Sequence, residues 1–323
     1  MENTKDYLLN KKSLHLYPNI TDDNIEWLCQ NTELEDIQFE KQPHDSAFKK
    51  LNEKLFKLKP NIKLRLFTFF NDGSWSDLSF LKYLDNLEHL TLDFNIAENL
   101  NNIRYLNNLK SLSFSSNNPK LSLTPLLELN HLVSLYTSAK FNDFEKIAKI
   151  STVENLYVSS IKENQLDVLI QLPNLKDLSL GYGGIKDLSK LTKLNKLKRL
   201  ELSALRSIEN IHFVSDLTSI EHLSIIMLSK LKCLPNFSKC LSLKSIFIDV
   251  LNKLENIENL KTAKNLSSFI AYQIKKLEPE KFEIFEEMKN LKKARIVYDY
   301  SDRKNDIINE ILSKNGISKI GSK

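Results

Sequence analysis

Residues Leu175–Leu202 read LKDLSLGYGGIKDLSKLTKLNKLKRLEL, and two spacings meet inside them. Leu175, Leu178 and Leu180 stand as LxxLxL, so Leu178 and Leu180 share one face of a short strand. Ile185, Leu188, Leu191 and Leu194 then recur every three residues, the spacing of a tight return. At Leu197, Leu200 and Leu202 the strand spacing begins again. One unit therefore runs out as a strand, comes back, and starts over after 22 residues.

Working outward, the same opening recurs at Leu34, Leu87, Leu109, Leu132, Val153, Leu175, Leu197, Ile220, Leu243, Leu266 and Leu291. Two looser units, with Leu14/Leu16 and Leu64/Leu66, fit strands opening at Lys11 and Asn61, which makes about thirteen strands. Steps between Leu87 and Leu266 are all 21 to 23 residues, a regularity that marks a repeat array. Steps near the N-terminus are longer, and His44–Lys57 carries Phe48, Leu51, Leu55 and Phe56 in an amphipathic helical pattern. The sequence predicts true helix on that return, 3₁₀ or extended backbone on the middle returns, and helix again after Pro279. Residues 1–10 read as an N-terminal cap and 11–300 as the repeat array. Residues 301–323 read as a C-terminal helical cap, with Ile307, Ile308, Ile311 and Leu312 on one face and Gly316 as the stop. A single unit cannot bury enough apolar surface to offset its own ordering, so the units must stack into a parallel sheet. Thirteen strands would span about 60 Å, a protein-sized surface.

The 323 residues are 41% hydrophobic and 27% charged, with a net charge of +5, too mild for a dedicated nucleic-acid binder. Cys29, Cys233 and Cys240 form no CxxC pair, the N-terminus lacks a signal-peptide core, and no apolar run reaches membrane-spanning length. These features point to a cytoplasmic protein, without membrane contact and monomeric apart from its partner. The six histidines make neither HxH nor HExxH, so no metal or cofactor is expected. Gly181–Gly184 (GYGG) has no following lysine and reads as a turn. Cys240 replaces a leucine and reads as buried packing. Lys186, Lys190, Lys193, Lys196, Lys198 and Arg199 form a basic run that reads as a solvated face, with an RNA or acidic partner as the alternative.

In its LxxLxL spacing over Lys11–Tyr300 the chain resembles the leucine-rich repeat family, in the cytosolic short-repeat class with internalin-type and phosphatase-regulator-type arrays. The resemblance implies an α/β solenoid, a horseshoe or arc with a parallel sheet on its concave face. It also implies an Asn at the ninth position of each unit, bonding the backbone of the turn. Asn95 and Asn117 keep that Asn, whereas Gly183, Leu205, Leu228, Leu251 and Ile274 do not, as in irregular plant-resistance-type units. There the turn must rest on apolar packing.

Residues between the leucines point away from the core. They place Tyr136, Tyr157 and Tyr182 above a floor of Ser and Gly. Beyond them lie Ile226, Met227, Phe247, Ile270, Tyr272 and Tyr298, rimmed by Arg199, Glu201, Asp249 and Arg295. Such a patch reads either as cross-strand packing or as a protein contact site. The expected role is a non-enzymatic scaffold holding a protein partner: an immunity protein that blocks a toxin, or an adaptor or effector. A substrate-reading module of a larger enzyme complex is the other alternative.

Overall fold

The computed structural model describes residues 7–10 as backbone and residues 12–69, 75, 77–96, 99–138 and 140–321 in full. They group into two compact units, Met1–Leu156 and Tyr157–Lys323.

In the first unit, β1 (Tyr7–Asn10) runs antiparallel to β2 (Ser13–Leu16), the first repeat strand, and so pairs its outer edge. Then β3 (Asp36–Phe39), β4 (Lys63–Phe67), β5 (His89–Asn95), β6 (Ser111–Ser115) and β7 (Ser134–Thr137) follow in chain order, each parallel to the last. Alternation decides the core: Leu14, Leu16, Ile37, Phe39, Leu64, Leu66, Leu90 and Leu92 are all buried. The longer returns are helical, and the pattern of His44–Lys57 predicts it for the second of them. Helix α1 (Asp22–Gln30) starts at a Thr21/Asn24 capping box, and α2 (Asp45–Lys50) continues into a π-helical turn at Leu51–Phe56. Asn52 in that turn is buried, and its amide bonds Asp85 Oδ1 at 2.6 Å and accepts from Asn86 N at 2.9 Å. The shorter returns are single 3₁₀ turns, such as Ser79–Tyr83 and Asn101–Tyr105.

Strand β8 (Asn155–Ser159) lies where the two units divide. In the second unit, the return after it carries the short α3 (Leu166–Leu169). The parallel series is β9 (Asp177–Gly183), β10 (Arg199–Leu205), β11 (His222–Ile226), β12 (Ser245–Asp249), β13 (Ser268–Tyr272) and β14 (Lys293–Val297). Strands β2 to β14 are the thirteen that the spacing predicts. Pro279–Glu287 is helical as expected but winds as 3₁₀, burying Phe282 and Phe285 against Phe269. Helix α4 (Asp302–Lys314) packs on it through Ile308, Ile311 and Leu312. Gly316, at φ 64°, ends α4: its N–H bonds Ser313 O at 3.1 Å and Ile317 N–H bonds Leu312 O at 2.9 Å, a Schellman motif. The two-residue β15 (Ser318–Lys319) then pairs with the start of β14.

Two different turns follow the strands. Where Asn occupies the ninth position, Asn95 Oδ1 accepts from Asn117 N at 2.7 Å. From β8 onward a non-glycine residue takes the left-handed conformation one position earlier: Ser160, Tyr182, Ala204, Met227, Val250 and Gln273, with φ between 47° and 58°. That reversal drives the ninth residue inward, and Leu205, Leu228, Leu251 and Ile274 are buried, the apolar packing that the sequence predicts. GYGG is a variant of this device rather than a free turn. Tyr182 carries the positive φ, and Gly183 remains in β9, paired with Leu205.

Candidate functional site

In the second unit, register aligns the outward side chains in rows. Ser224, Phe247, Ile270 and Arg295 follow one another across β11 to β14, and beside them run Ile226, Asp249, Tyr272 and Val297. The Phe247 and Tyr272 rings meet edge to face at 6.0 Å, and the Arg295 guanidinium sits 5.8 Å from the Tyr272 centroid. Met227, 38% exposed, is raised beside them because its left-handed backbone turns it outward. Ile226, Phe247, Ile270 and Tyr272 are half-buried, leaving their outer surfaces to solvent. Asp249 stands within the patch, between Ile226 and Tyr272 in register. Burial pushes its carboxyl above the usual range against a hydrogen bond from Val250 N–H, and Asp299 pushes the same way.

Towards β9 the face becomes polar. Tyr157 is half-buried over Gly181, where an added Cβ would stand 2.8 Å from its hydroxyl. Burial raises its phenol pKa, with Tyr182 and Glu201 nearby adding to the shift. Tyr182 is 55% exposed, and Glu201 is half-buried. Arg199 is exposed and pairs with Asp177 at 3.3 Å. In the same row His222 Nδ1 lies 2.7 Å from Ser245 Oγ, and burial together with Arg199 holds the imidazole below its ordinary pKa. Tyr136, in the first unit, is 42% exposed.

One expected residue is not on this face. Tyr298 is buried, and its hydroxyl donates to Leu277 O at 2.6 Å. The left-handed residue of the last repeat falls at Tyr300 instead, so Tyr298 keeps an ordinary backbone and turns inward. Asn305 of α4 fixes it there, accepting from Tyr298 N and donating to Tyr298 O, both at 2.9 Å.

The basic run proves to be stitched between repeats. Lys190 pairs with Asp167 at 2.7 Å, Lys198 with Glu221 at 3.0 Å, and Lys196 donates to Asn174 at 3.1 Å. Cys240 is buried against Val214 O, and burial pushes its thiol up to about 11, the opposite of an activated nucleophile. Among the described residues no group of three or more His, Cys, Asp and Glu side chains could hold a metal, and no helix is long and apolar enough to cross a membrane.

A second exposed cluster lies outside the residues that the sequence singles out. In the first unit the His15 ring stacks near Tyr17 at 6.3 Å and meets Phe67 at 5.2 Å, and Phe67 meets Phe69 at 5.2 Å. Arg65 lies over Phe67 at 4.7 Å, donates to Gln38 Oε1 and pairs with Asp93. Tyr17 is 42% and Phe69 71% exposed. Reading the outward positions beside Leu14/Leu16 and Leu64/Leu66 in the same way would have found it.

An LxxLxL strand, a buried ninth residue or Asn, and a short return recur in both units in parallel register. The fold is a leucine-rich repeat solenoid. No family model matches the chain, and no curated protein matches it. Among solved structures it is similar to an internalin from Listeria monocytogenes, at 18% identity over 97% of this chain and 87% of that one, with a TM-score of 0.48. An internalin C2 from the same species aligns at 20% identity, 67% and 84% coverage and a TM-score of 0.39. A leucine-rich repeat protein from Leptospira interrogans aligns at 15% identity, 94% and 92% coverage and a TM-score of 0.39.

Proposed function

We propose that the chain is a non-enzymatic scaffold that holds a protein partner on the strand face of its second unit. The supporting observation is the patch on β11 to β13. Ile226, Met227, Phe247, Ile270 and Tyr272 present apolar surface around Asp249, which stands between Ile226 and Tyr272, and Arg295 stacks on Tyr272 at the edge. Aromatic and Met side chains ringed by charge are the residue types that carry binding energy at protein interfaces. Arg199, Glu201, Tyr157, Tyr182 and, in the first unit, Tyr136 would supply polar contacts around such a centre. Lys190 and Lys198 of the basic run pair with carboxylates of neighbouring repeats, which favours the protein-binding reading over the RNA one.

Within this reading the partner is a toxin that the protein blocks, or a component that it brings together with another as adaptor or effector. Finding a toxin gene beside the coding sequence would favour the first. The test is to capture the partner from the source organism and titrate it against Phe247→Ala and Tyr272→Ala. Each variant is expected to lose about 2 kcal/mol of binding, roughly thirtyfold, with an unchanged fold. Unchanged affinity in both would remove this face as the binding site.

A further inference from the structure

Each strand from β10 to β13 leaves the sheet through a turn that carries exposed cations. Arg206 follows β10, Lys230 and Lys232 follow β11, Lys253 follows β12, and Lys275 and Lys276 follow β13. The turns stack in one row. Lys230 pairs with Glu209 of the turn before it at 3.0 Å, Glu255 N–H bonds Lys232 O at 2.9 Å, and Lys276 pairs with Glu255 at 3.0 Å. Glu278, the last carboxylate of these turns, is held by Lys304 at 2.8 Å. That leaves Arg206, Lys232, Lys253 and Lys275 without an ion pair among the described residues.

The opposite ends of the same strands differ. There Lys198 and Lys244 share Glu221, and Arg199 pairs with Asp177. Charge along the chain is divided as unevenly. Residues Tyr157–Lys323 hold 28 Lys and Arg against 20 Asp and Glu, a surplus of eight positive charges, whereas Met1–Leu156 hold 18 against 21. The unpaired row is therefore a basic ridge on the unit that carries the net positive charge. It also adjoins the apolar patch: Lys230, Lys253 and Lys275 stand three residues after Met227, Val250 and Tyr272. Carboxylates return only past β14, at Asp299 and Asp302.

We propose, on the reading that the β11–β13 patch seats a protein, that this protein is acidic. It packs apolar side chains among Met227, Phe247 and Tyr272 and lays Asp and Glu carboxylates along Lys232, Lys253 and Lys275 as a charged rim. Asp249, inside the patch, repels carboxylates and confines them to the ridge. A nucleic acid would neutralise the ridge but bury none of the patch, so an acidic polypeptide accounts for both features.

The test selects random dodecapeptides displayed on phage against the intact chain and reads their sequences. The selected peptides are expected to carry Asp and Glu beside aromatic or aliphatic residues. Labelled copies, read by fluorescence polarisation, should bind the triple variant Lys232→Glu, Lys253→Glu, Lys275→Glu about tenfold more weakly. Its melting temperature should not change, because none of the three side chains pairs with another among the described residues. Reversal of Lys193, Lys264 and Lys289, exposed on the returns, alters the net charge equally and should leave binding within about twofold. Selected sequences without acidic preference, an absence of selected binders, or equal losses in the two triple variants would overturn the proposal. So would tighter binding of an oligouridylate, or of phosphatidylserine vesicles, that is lost in the first variant. The two readings fail separately. Peptides that need Phe247 but lack acidic residues would remove the ridge and keep the patch, whereas acidic peptides lost in the first variant but indifferent to Phe247→Ala would keep the ridge and remove the patch.

Discussion

Val250 sits at φ 53°, a conformation that costs a non-glycine residue roughly 1–2 kcal/mol, and a β-branched one the most. Asn tolerates that region, so Val250→Asn is expected to stabilise the second unit by about 1 kcal/mol, raising its melting temperature by roughly 2–4 °C in calorimetry. Asp143 is a second residue whose work is local. It is buried in a return of the first unit, accepts from Ser122 Oγ at 2.6 Å and Leu123 N at 2.9 Å, and pairs with Lys146 at 3.0 Å. Burial opposes its ionisation, but these bonds outweigh it and hold the carboxyl below its usual range. Its stabilisation is therefore full above the ordinary Asp pKa of about 4 and is lost as pH falls through the lower folded value. Asp143→Asn should cost about 2 kcal/mol at neutral pH in urea unfolding, and the gap from the parent should narrow in acid. Residues of the strand face were legible in the sequence because a period of two leaves them no other direction. Tyr298 was not, because its direction depends on which residue of the turn goes left-handed, and the leucine spacing does not record that choice.

At the level of elements, the returns were legible where length constrained them. Short ones had room only for 3₁₀ turns, extended backbone or a single turn of helix, and the long return at His44–Lys57 had room and pattern for helix. The π-helical turn at Leu51–Phe56 left no mark in the spacing, since the apolar positions fit α and π winding alike. Charge links between successive strands of the second unit were equally hidden, because their partners lie about one repeat apart. Glu221 receives Lys198 at 3.0 Å and Lys244 at 2.5 Å, and hydrogen bonds from Lys244 and then Lys198 bring its carboxyl down to about 2. A depressed carboxyl contributes above its unfolded pKa and loses that contribution on the way down to the folded value. Melting temperatures measured from pH 6 to pH 2 should therefore fall more steeply for the parent than for Glu221→Gln below about pH 4.5. Parallel curves would mean that solvent screens the two pairs out of the energy balance.

For the molecule as a whole, thirteen strands and their order were readable from one leucine spacing, since stacked identical units have only one economical way to pair. The apolar patch was readable as residues but not as a surface. Its exposure comes from the register of β11 to β13 and from the left-handed Met227, neither of which is written in composition. Partner identity is not encoded in a repeat at all, because the same scaffold carries any set of outward side chains. The central claim is that the β11–β13 face grips a protein. A photo-crosslinking amino acid placed at Met227, and separately at Lys193 on a 3₁₀ return, tests it in an extract of the source organism. Mass spectrometry should find one protein joined through position 227 and absent from the position 193 sample, whereas equal capture at both positions, or capture at 193 alone, would contradict the account.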